Sequence, residues 1–115
     1  IIHGANIGAN CLVGMNAVIM DDVTIGDECI IGALAFVKAG TQIPNRKMVV
    51  GNPAIIIKDV SDELIAWKTK GTALYQQLPK ECFETLKAVE PLREIPSNRP
   101  EQAAFYATLE EFKNK

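Results

Sequence analysis

The sequence predicts a mainly β fold, a parallel β-helix of short strands and tight corners, followed by C-terminal α-helices. The first observation is an aliphatic residue at every sixth position, at Ile1, Ile7, Val13, Ile19, Ile25, Ile31, Val37, Ile43 and Val49. The second is a column of mostly small residues four positions further on, at Ala5, Cys11, Ala17, Val23, Cys29, Ala35 and Thr41. The third is a set of turn-tolerant residues between these columns, at Asn10, Asn16, Asp22, Gly40 and Asn45, with Gly8, Gly14, Gly26 and Gly32 after aliphatic positions. A fixed internal period of this kind is typical of a β-helix.

The coil geometry follows from known proteins with a six-residue repeat, in which three repeats make one triangular coil and the helix is left-handed. Residues 1–54 then predict three coils of a left-handed parallel β-helix, with residues 18 apart stacked about 4.8 Å from each other. The outward residues before the aliphatic positions form one polar column (Asn6, Thr24, Gln42) and two apolar columns (Leu12, Ile30, Met48 and Val18, Phe36, Ala54). Because exposed apolar columns favour association, we expect the C-terminal helix to cover one and a neighbouring subunit to cover the other. A ring of three subunits is the usual arrangement in known proteins of this fold, so we expect a homotrimer.

Composition and charge narrow the class of protein. The chain has 115 residues and a formal net charge of −2, without a basic stripe, so we expect one domain with an appendage and no nucleic-acid partner. Its apolar runs are too short to span a membrane, and no signal peptide is visible, so a cytoplasmic location is the default expectation. Cys11 and Cys29 are 18 apart and stack in the inward column, where a disulfide is conceivable, but we expect reduced, buried thiols. Cys82 lies in the tail.

The chain is predicted to comprise coils at 1–58 and a helical extension at 59–115 that packs on the coils, on a neighbouring subunit, or on both. Ile1 is already in register and no initiator Met precedes it, so we expect further coils before it. Ser61 predicts a helix N-cap, and this helix should run to about residue 78. A second helix is expected from Pro79 to about Val89. A last helix is expected after Pro100, on the spacing of Phe105, Leu109 and Phe112.

Several local motifs go beyond the repeat. They are the segments at 3–8, 12–17, 36–40 and 50–54, and the pairs Trp67-Lys68, Gly71-Thr72 and Tyr75-Gln76. With these motifs the chain resembles the γ-class carbonic anhydrase-like hexapeptide-repeat family, nearest to its branch from phenylacetate degradation and the carnitine operon. The resemblance covers residues 1 to about 95.

The resemblance implies a zinc enzyme whose metal, zinc or another divalent ion, is held by three histidines between subunits. His3, the single histidine, completes neither a metal site nor a catalytic pair by itself. It matches the second of two family histidines five residues apart, and the other two ligands would lie before Ile1. Zinc lowers the pKa of bound water toward ~7, and the hydroxide would hydrate carbon dioxide. Tyr75 is a candidate catalytic residue, although the neighbouring family Asn is missing from the segment at 72–75.

Two alternatives to the zinc enzyme remain open, and an enzyme of either kind would act on a small-molecule substrate. One is a hexapeptide acyltransferase or acyl-CoA thioesterase of phenylacetate or carnitine metabolism. Its CoA would bind at Gly51, Asn52, Pro53 and Ala54, a turn also found in CoA-using transferases, and His3 would act as the general base. Only Lys58 provides a basic side chain close to this turn. The other alternative is a non-catalytic accessory protein, which the long C-terminal extension favours.

Overall fold

A computed structural model describes residues 1–99, 110, 111 and 114. Its strands are β1 (Asn6–Ile7), β2 (Leu12–Val13), β3 (Val18–Ile19), β4 (Thr24–Ile25), β5 (Ile30–Ile31), β6 (Phe36–Val37), β7 (Gln42–Ile43), β8 (Lys47–Val50) and β9 (Ile55–Asp59), and its helix is α1 (Asp62–Thr85). The chain divides into two compact units, Ile1–Thr69 and Lys70–Lys115. No helix among the described residues is long and apolar enough to cross a membrane.

The strands form three sheets that the chain visits in turn. The sheet orders are β1-β4-β7, β2-β5-β8-β9 and β3-β6, and every pair except β8–β9 is parallel. The register joins residues 18 apart, such as Asn6 with Thr24 and Thr24 with Gln42. This register confirms the predicted coil length. A chain that returns to the same sheet after every 18 residues is wound as a parallel β-helix.

The hydrophobic core lies inside the coils and consists of the two predicted inward columns. The aliphatic residues from Ile19 onward are at most 3% exposed, and Val23, Cys29 and Ala35 between them are equally buried. Neighbouring coils lie so close together that a side chain larger than glycine would collide with the next coil at positions beside the core. A Cβ added at Gly8 would lie 2.7 Å from the backbone nitrogen of Asp27, and one added at Gly32 would lie 2.8 Å from Val50. The repeat therefore encodes both the core and the spacing of the coils.

The corners between strands adopt the left-handed backbone region at every sixth residue. Positive φ angles of 53–72° occur at Gly4, Asn10, Asn16, Asp22, Glu28, Leu34, Gly40 and Arg46. Four of the five predicted turn residues are among them. The fifth, Asn45, also lies in a turn, where the next residue, Arg46, takes the positive φ. Asn45 instead accepts a hydrogen bond at its side-chain oxygen from the backbone N–H of Asp27, at 2.9 Å.

The helix after the coils begins where predicted and differs further along. The backbone N–H of Leu64 donates to the Ser61 hydroxyl at 3.3 Å, which is the expected N-cap. The predicted break at Pro79 was wrong, because α1 continues through this proline to Thr85. Pro79 and Tyr75 are exposed, so the carbonyl of Tyr75, which loses its helical partner, can bond to water. The predicted last helix lies mainly outside the described residues, including Pro100, Phe105, Leu109 and Phe112.

Candidate functional site

The candidate site is a histidine–aspartate pair on one corner of the coils. His3 Nδ1 lies 2.6 Å from Asp21 Oδ1, and the two side chains are 72% and 48% exposed. The two residues are 18 apart, so they occupy the same corner in successive coils. Asp21 was not predicted from the sequence. The stacking rule, applied to His3 as it was applied to the outward columns, would have identified it.

Local backbone structure holds this pair together. The backbone N–H of His3 donates to the carbonyl of Ile19 at 3.0 Å, and that of Asp22 donates to the carbonyl of Gly4 at 2.9 Å. Gly4 has a φ of +59°, and a Cβ at this position would collide with the Asp21 carboxylate. Glycine is therefore required beside His3 for the carboxylate to reach the imidazole ring.

The contact determines how the imidazole can act. A carboxylate at Nδ1 favours the tautomer with the proton on Nδ1, which leaves the Nε2 lone pair as the available acceptor. A side chain in this state can accept a proton from a bound substrate or ligate a metal ion. Since the side chain of His3 is largely exposed, a substrate can approach Nε2 from solvent.

The residues present do not form the expected zinc centre. No group of three or more His, Cys, Asp and Glu side chains that could hold a metal ion occurs among the described residues. A zinc site needs three or four such ligands, and the corner supplies His3 with Asp21 engaged at its Nδ1. The zinc expectation is therefore not supported by this part of the chain.

The Gly51–Ala54 turn leaves the coils at a different corner. It joins β8 to β9, and Gly51, Asn52 and Pro53 are exposed. The carbonyl of Gly51 accepts from the N–H of Phe36 at 2.9 Å, and the N–H of Ala54 donates to the carbonyl of Phe36 at 2.8 Å. These bonds continue the stacking of the coils to the end of the third one. Within one chain, the turn and His3 therefore belong to separate corner columns.

The other predicted site residue and the cysteines have simple environments. Tyr75 is 75% exposed on the part of α1 that belongs to the unit Lys70–Lys115. All three cysteines are free, with Cys11 half-buried, Cys29 buried and Cys82 exposed. Burial raises the pKa of the Cys11 thiol, and its Sγ donates to the carbonyl of Gly26 at 3.1 Å. We assign Cys11 a packing role on this basis.

A buried lysine joins α1 to the first coil. Lys68 is 3% exposed, and its Nζ donates to the backbone carbonyl of Asn10 at 2.6 Å and to the Asn10 side-chain oxygen. Asn10 also donates from Nδ2 to the hydroxyl of Thr69 at 3.0 Å. Burial lowers the pKa of Lys68. The sequence singled out Lys68 only as part of a motif, because the partner that explains it is 58 residues away.

Ion pairs join the last coil to the segment that follows it, from the end of β9 to the first turn of α1. Arg46 pairs with Asp62, Lys47 pairs with Asp59, and a cavity of about 530 Å³ lies beside them. The hydrogen bond from Lys47 lowers the pKa of Asp59, and the bond to Asp62 raises that of Arg46. Because the cations of this cavity are already paired with carboxylates, the cavity is an anchoring region for α1.

The coils, their 18-residue register and the corner histidine define a β-helix protein built from six-residue repeats. A family model described as bacterial transferase hexapeptide (six repeats) matches residues 4–39. Over 100 residues the chain is 45% identical to the carnitine operon protein CaiE of Escherichia coli K12, covering 87% of this chain and 51% of that protein. The chain belongs to the hexapeptide-repeat family, consistent with the CaiE branch, and spans about half the length of the curated relatives it matches.

Solved structures agree with this fold. A candidate acetyltransferase from Bacillus cereus aligns with a TM-score of 0.71 and 26% identity, over 74% of this chain and 49% of that one. A hexapeptide transferase family protein from Anaplasma phagocytophilum aligns with a TM-score of 0.66 and 22% identity, over 70% and 48%, which bears on the fold alone. The transferase family model and the Bacillus cereus relative favour the acyltransferase alternative over carbonic anhydrase activity.

Proposed function

We propose that the protein is an acyltransferase-like enzyme that moves an acyl group from a CoA thioester to a small hydroxyl or amine acceptor, with His3 as general base. The observation that carries this proposal is the 2.6 Å contact between His3 Nδ1 and Asp21 Oδ1, which leaves Nε2 as an exposed acceptor. The transferase family model and the similarity to the Bacillus cereus candidate acetyltransferase support the reaction class.

His3 and Asp21 take part in the transfer in a defined order of steps. Nε2 of His3 accepts the proton of the acceptor as its oxygen or nitrogen attacks the thioester carbonyl carbon. The carbon–sulfur bond breaks, and the proton passes from Nε2 to the departing CoA sulfur. Asp21 stabilises the imidazolium that exists between these two proton transfers and keeps the ring oriented. With water as the acceptor, the same steps describe an acyl-CoA thioesterase.

The CoA site is proposed at Gly51, Asn52, Pro53 and Ala54, which are mostly exposed at the end of the third coil. This turn and His3 lie on different corner columns, so a shared site requires two subunits. We therefore include a homotrimer of left-handed β-helices in the proposal, with the turn of one subunit facing the His3 corner of the next. A cytoplasmic location belongs to the same proposal.

A γ-carbonic anhydrase-like zinc enzyme is the second candidate. A carboxylate bonded to the far nitrogen of an imidazole is also the usual partner of a metal-ligating histidine, and Asp21 occupies that position toward His3. The remaining ligands would have to come from outside the described residues. Tyr75 is kept as a catalytic residue only within this candidate.

The test measures thiol release from acetyl-CoA and longer acyl-CoA thioesters, with small alcohols, amines or water as acceptors. His3→Gln should lower kcat by about 10²–10⁴-fold, the usual contribution of a general base. Asp21→Asn should lower it by about 10–100-fold, as loss of an orienting partner does. Asp22→Asn, at the next residue, is the matched control and should leave the rate unchanged.

Two results would reject the acyltransferase proposal. One is thiol release by His3→Gln at the wild-type rate. The other is about one zinc per chain by elemental analysis, together with carbon dioxide hydration and no thiol release, which would establish the second candidate. Thiol release without acyl transfer to any acceptor except water would identify a thioesterase. An absence of both activities and of zinc would favour a non-catalytic accessory protein.

A further inference from the structure

The strand β9 has an unusual combination of features for the end of a sheet. It is the outer strand of the sheet β2-β5-β8-β9, and no described strand pairs with its other edge. All five of its residues are exposed. Three of them are consecutive isoleucines: Ile55, Ile56 and Ile57 are 62%, 46% and 48% exposed. A free edge of this kind presents unpaired backbone N–H and C=O groups beside apolar side chains.

Natural sheet edges are normally protected against pairing by prolines, inward charges or very short strands. At β9 the only charged residues are Lys58 and Asp59, which both lie at its C-terminal end, and Asp59 is paired with Lys47 of β8. The isoleucine segment itself carries no charge and no proline. β-branched residues also have a strong preference for strands. The edge is therefore open to pairing over its first three residues.

We infer that β9 is an interface between two copies of this chain, in which each β9 pairs antiparallel with the other around a two-fold axis. The sequence of the strand is self-complementary in one register. With Ile56 opposite its own copy, Ile55 faces Ile57 of the second chain and Ile57 faces Ile55, so all three pairs are apolar. Cross-strand pairs of β-branched residues are favourable in such a sheet.

The neighbouring register is worse for a physical reason. With Ile57 at the two-fold axis, Ile56 would face Lys58 and Ile55 would face Asp59, and each pairing would set an apolar side chain against a charge. The register centred on Ile56 leaves both charged residues beyond the apolar pairs. A second copy is favoured over a different extended peptide because the uncharged segment matches itself and offers no charge for another partner to recognise.

This pairing is compatible with the proposed trimer and does not depend on its activity. In a trimer the three β9 edges lie at the same end of the three coil stacks. Two trimers facing each other through two-fold axes would pair all three edges at once, which gives a hexamer with closed D₃ symmetry. Three weak strand pairs acting together bind much more tightly than one.

The experiment is the mass of the protein in solution by size-exclusion chromatography with light scattering, over a concentration series. We expect the wild type to have twice the mass of the Ile56→Lys variant, because this substitution places two like charges opposite each other at the axis. The dissociation constant for association through β9 should be at least about 100-fold higher in Ile56→Lys than in the wild type. Thr24→Lys, on the exposed polar column, is the control and should keep the wild-type mass.

A second variant separates the interface from a folding defect. Ile56→Thr keeps a β-branched residue with strand preference, and it should fold normally and weaken the association about tenfold. An Ile56→Cys variant in a Cys82→Ser background should form a disulfide between chains on mild oxidation, whereas Lys58→Cys in the same background should not. An unchanged mass for Ile56→Lys, or a wild type that never doubles its mass, would overturn the inference. Thiol release from acyl-CoA tests the proposed function separately.

Discussion

The positive-φ corners show how single residues hold the coils in shape. Residues other than Gly, Asn and Asp lose about 1–2 kcal/mol in the left-handed region, because Cβ approaches the following carbonyl. Five of the eight corners use Gly, Asn or Asp, whereas Glu28, Leu34 and Arg46 do not. Leu34 has a φ of +61° and is 70% exposed. Its side chain has no polar group that could form a local hydrogen bond and so offset the cost of this backbone conformation.

This corner leads to a stability prediction. Leu34→Asn should be more stable than Leu34→Ala by about 1 kcal/mol, because both remove the leucine side chain but only Asn is tolerated in the left-handed region. Asn10 and Asn16 already occupy equivalent corners. Urea unfolding of the two variants measures the difference. Equal stabilities would mean that the corner carries no backbone strain.

The first half of α1 contacts the coils at two points. Asp62 pairs with Arg46, and six residues later Lys68 bonds to Asn10. Six helical residues rise about 9 Å, and two coil steps between Arg46 and Asn10 span about 9.6 Å. The rise of the helix and the height of two coils therefore agree over this length. The first half of α1 runs back along the corner column that contains Arg46 and Asn10.

The buried lysine gives this contact a pH dependence. The folded-state pKa of Lys68 is lowered by burial, so between that pKa and the ordinary value of 10.5 the unfolded chain binds more protons than the folded chain. Stability from this group therefore rises as pH increases through that window. Hydrogen bonds to a charged group contribute about 2 kcal/mol, so Lys68→Met should destabilise the chain by that order at pH 7.

The measurement compares urea unfolding of wild type and Lys68→Met at pH 7 and pH 10. The stability difference between them should be larger at pH 10. Lys80→Met changes an exposed lysine on the same helix and provides the control, which should show no such increase. A stability difference that is smaller at pH 10 than at pH 7 would contradict a lowered pKa of Lys68 in the folded chain.

At the scale of the whole molecule, the outward columns predict how copies assemble. The polar column Asn6, Thr24 and Gln42 is exposed, whereas Leu12, Ile30 and Met48 are half-buried or buried within one chain. Val18 and Phe36 stay half-buried on β3 and β6, and Met15 and Leu34 on the adjoining corner are 81% and 70% exposed. This remaining apolar surface is the face that we expect a neighbouring subunit to cover.

The trimer prediction is tested on that face. Phe36→Glu should dissociate the trimer, raising its dissociation constant by about 100-fold or more, because it introduces a charge into an apolar interface. Thr24→Glu, at the equivalent position of the polar column, should leave the assembly intact. Sedimentation velocity gives the mass of each variant. A Phe36→Glu protein with the wild-type mass would place the subunit interface elsewhere.

Much of the fold could be read from the order of residues alone. The six-residue period predicted the inward columns and most corners, because each repeat makes the same contacts as the one before it. The 18-residue stacking required in addition the three-repeat coil of known proteins with this repeat. His3 was singled out on other grounds, as the single histidine of the chain and as a match to a family histidine. Ser61 marked the start of α1, because capping depends on residues that are neighbours in the chain.

Other features were decided only by the tertiary structure. The partner of His3 lies one coil away in Asp21, the partner of Lys68 lies 58 residues away in Asn10, and the free edge of β9 depends on which strands pair. Pro79 was misjudged because an exposed helix can hydrate the carbonyl that proline leaves without a partner. Local pattern determined the repeating architecture of this protein, and contacts between residues distant in the chain determined its candidate site, its helix anchor and its edge.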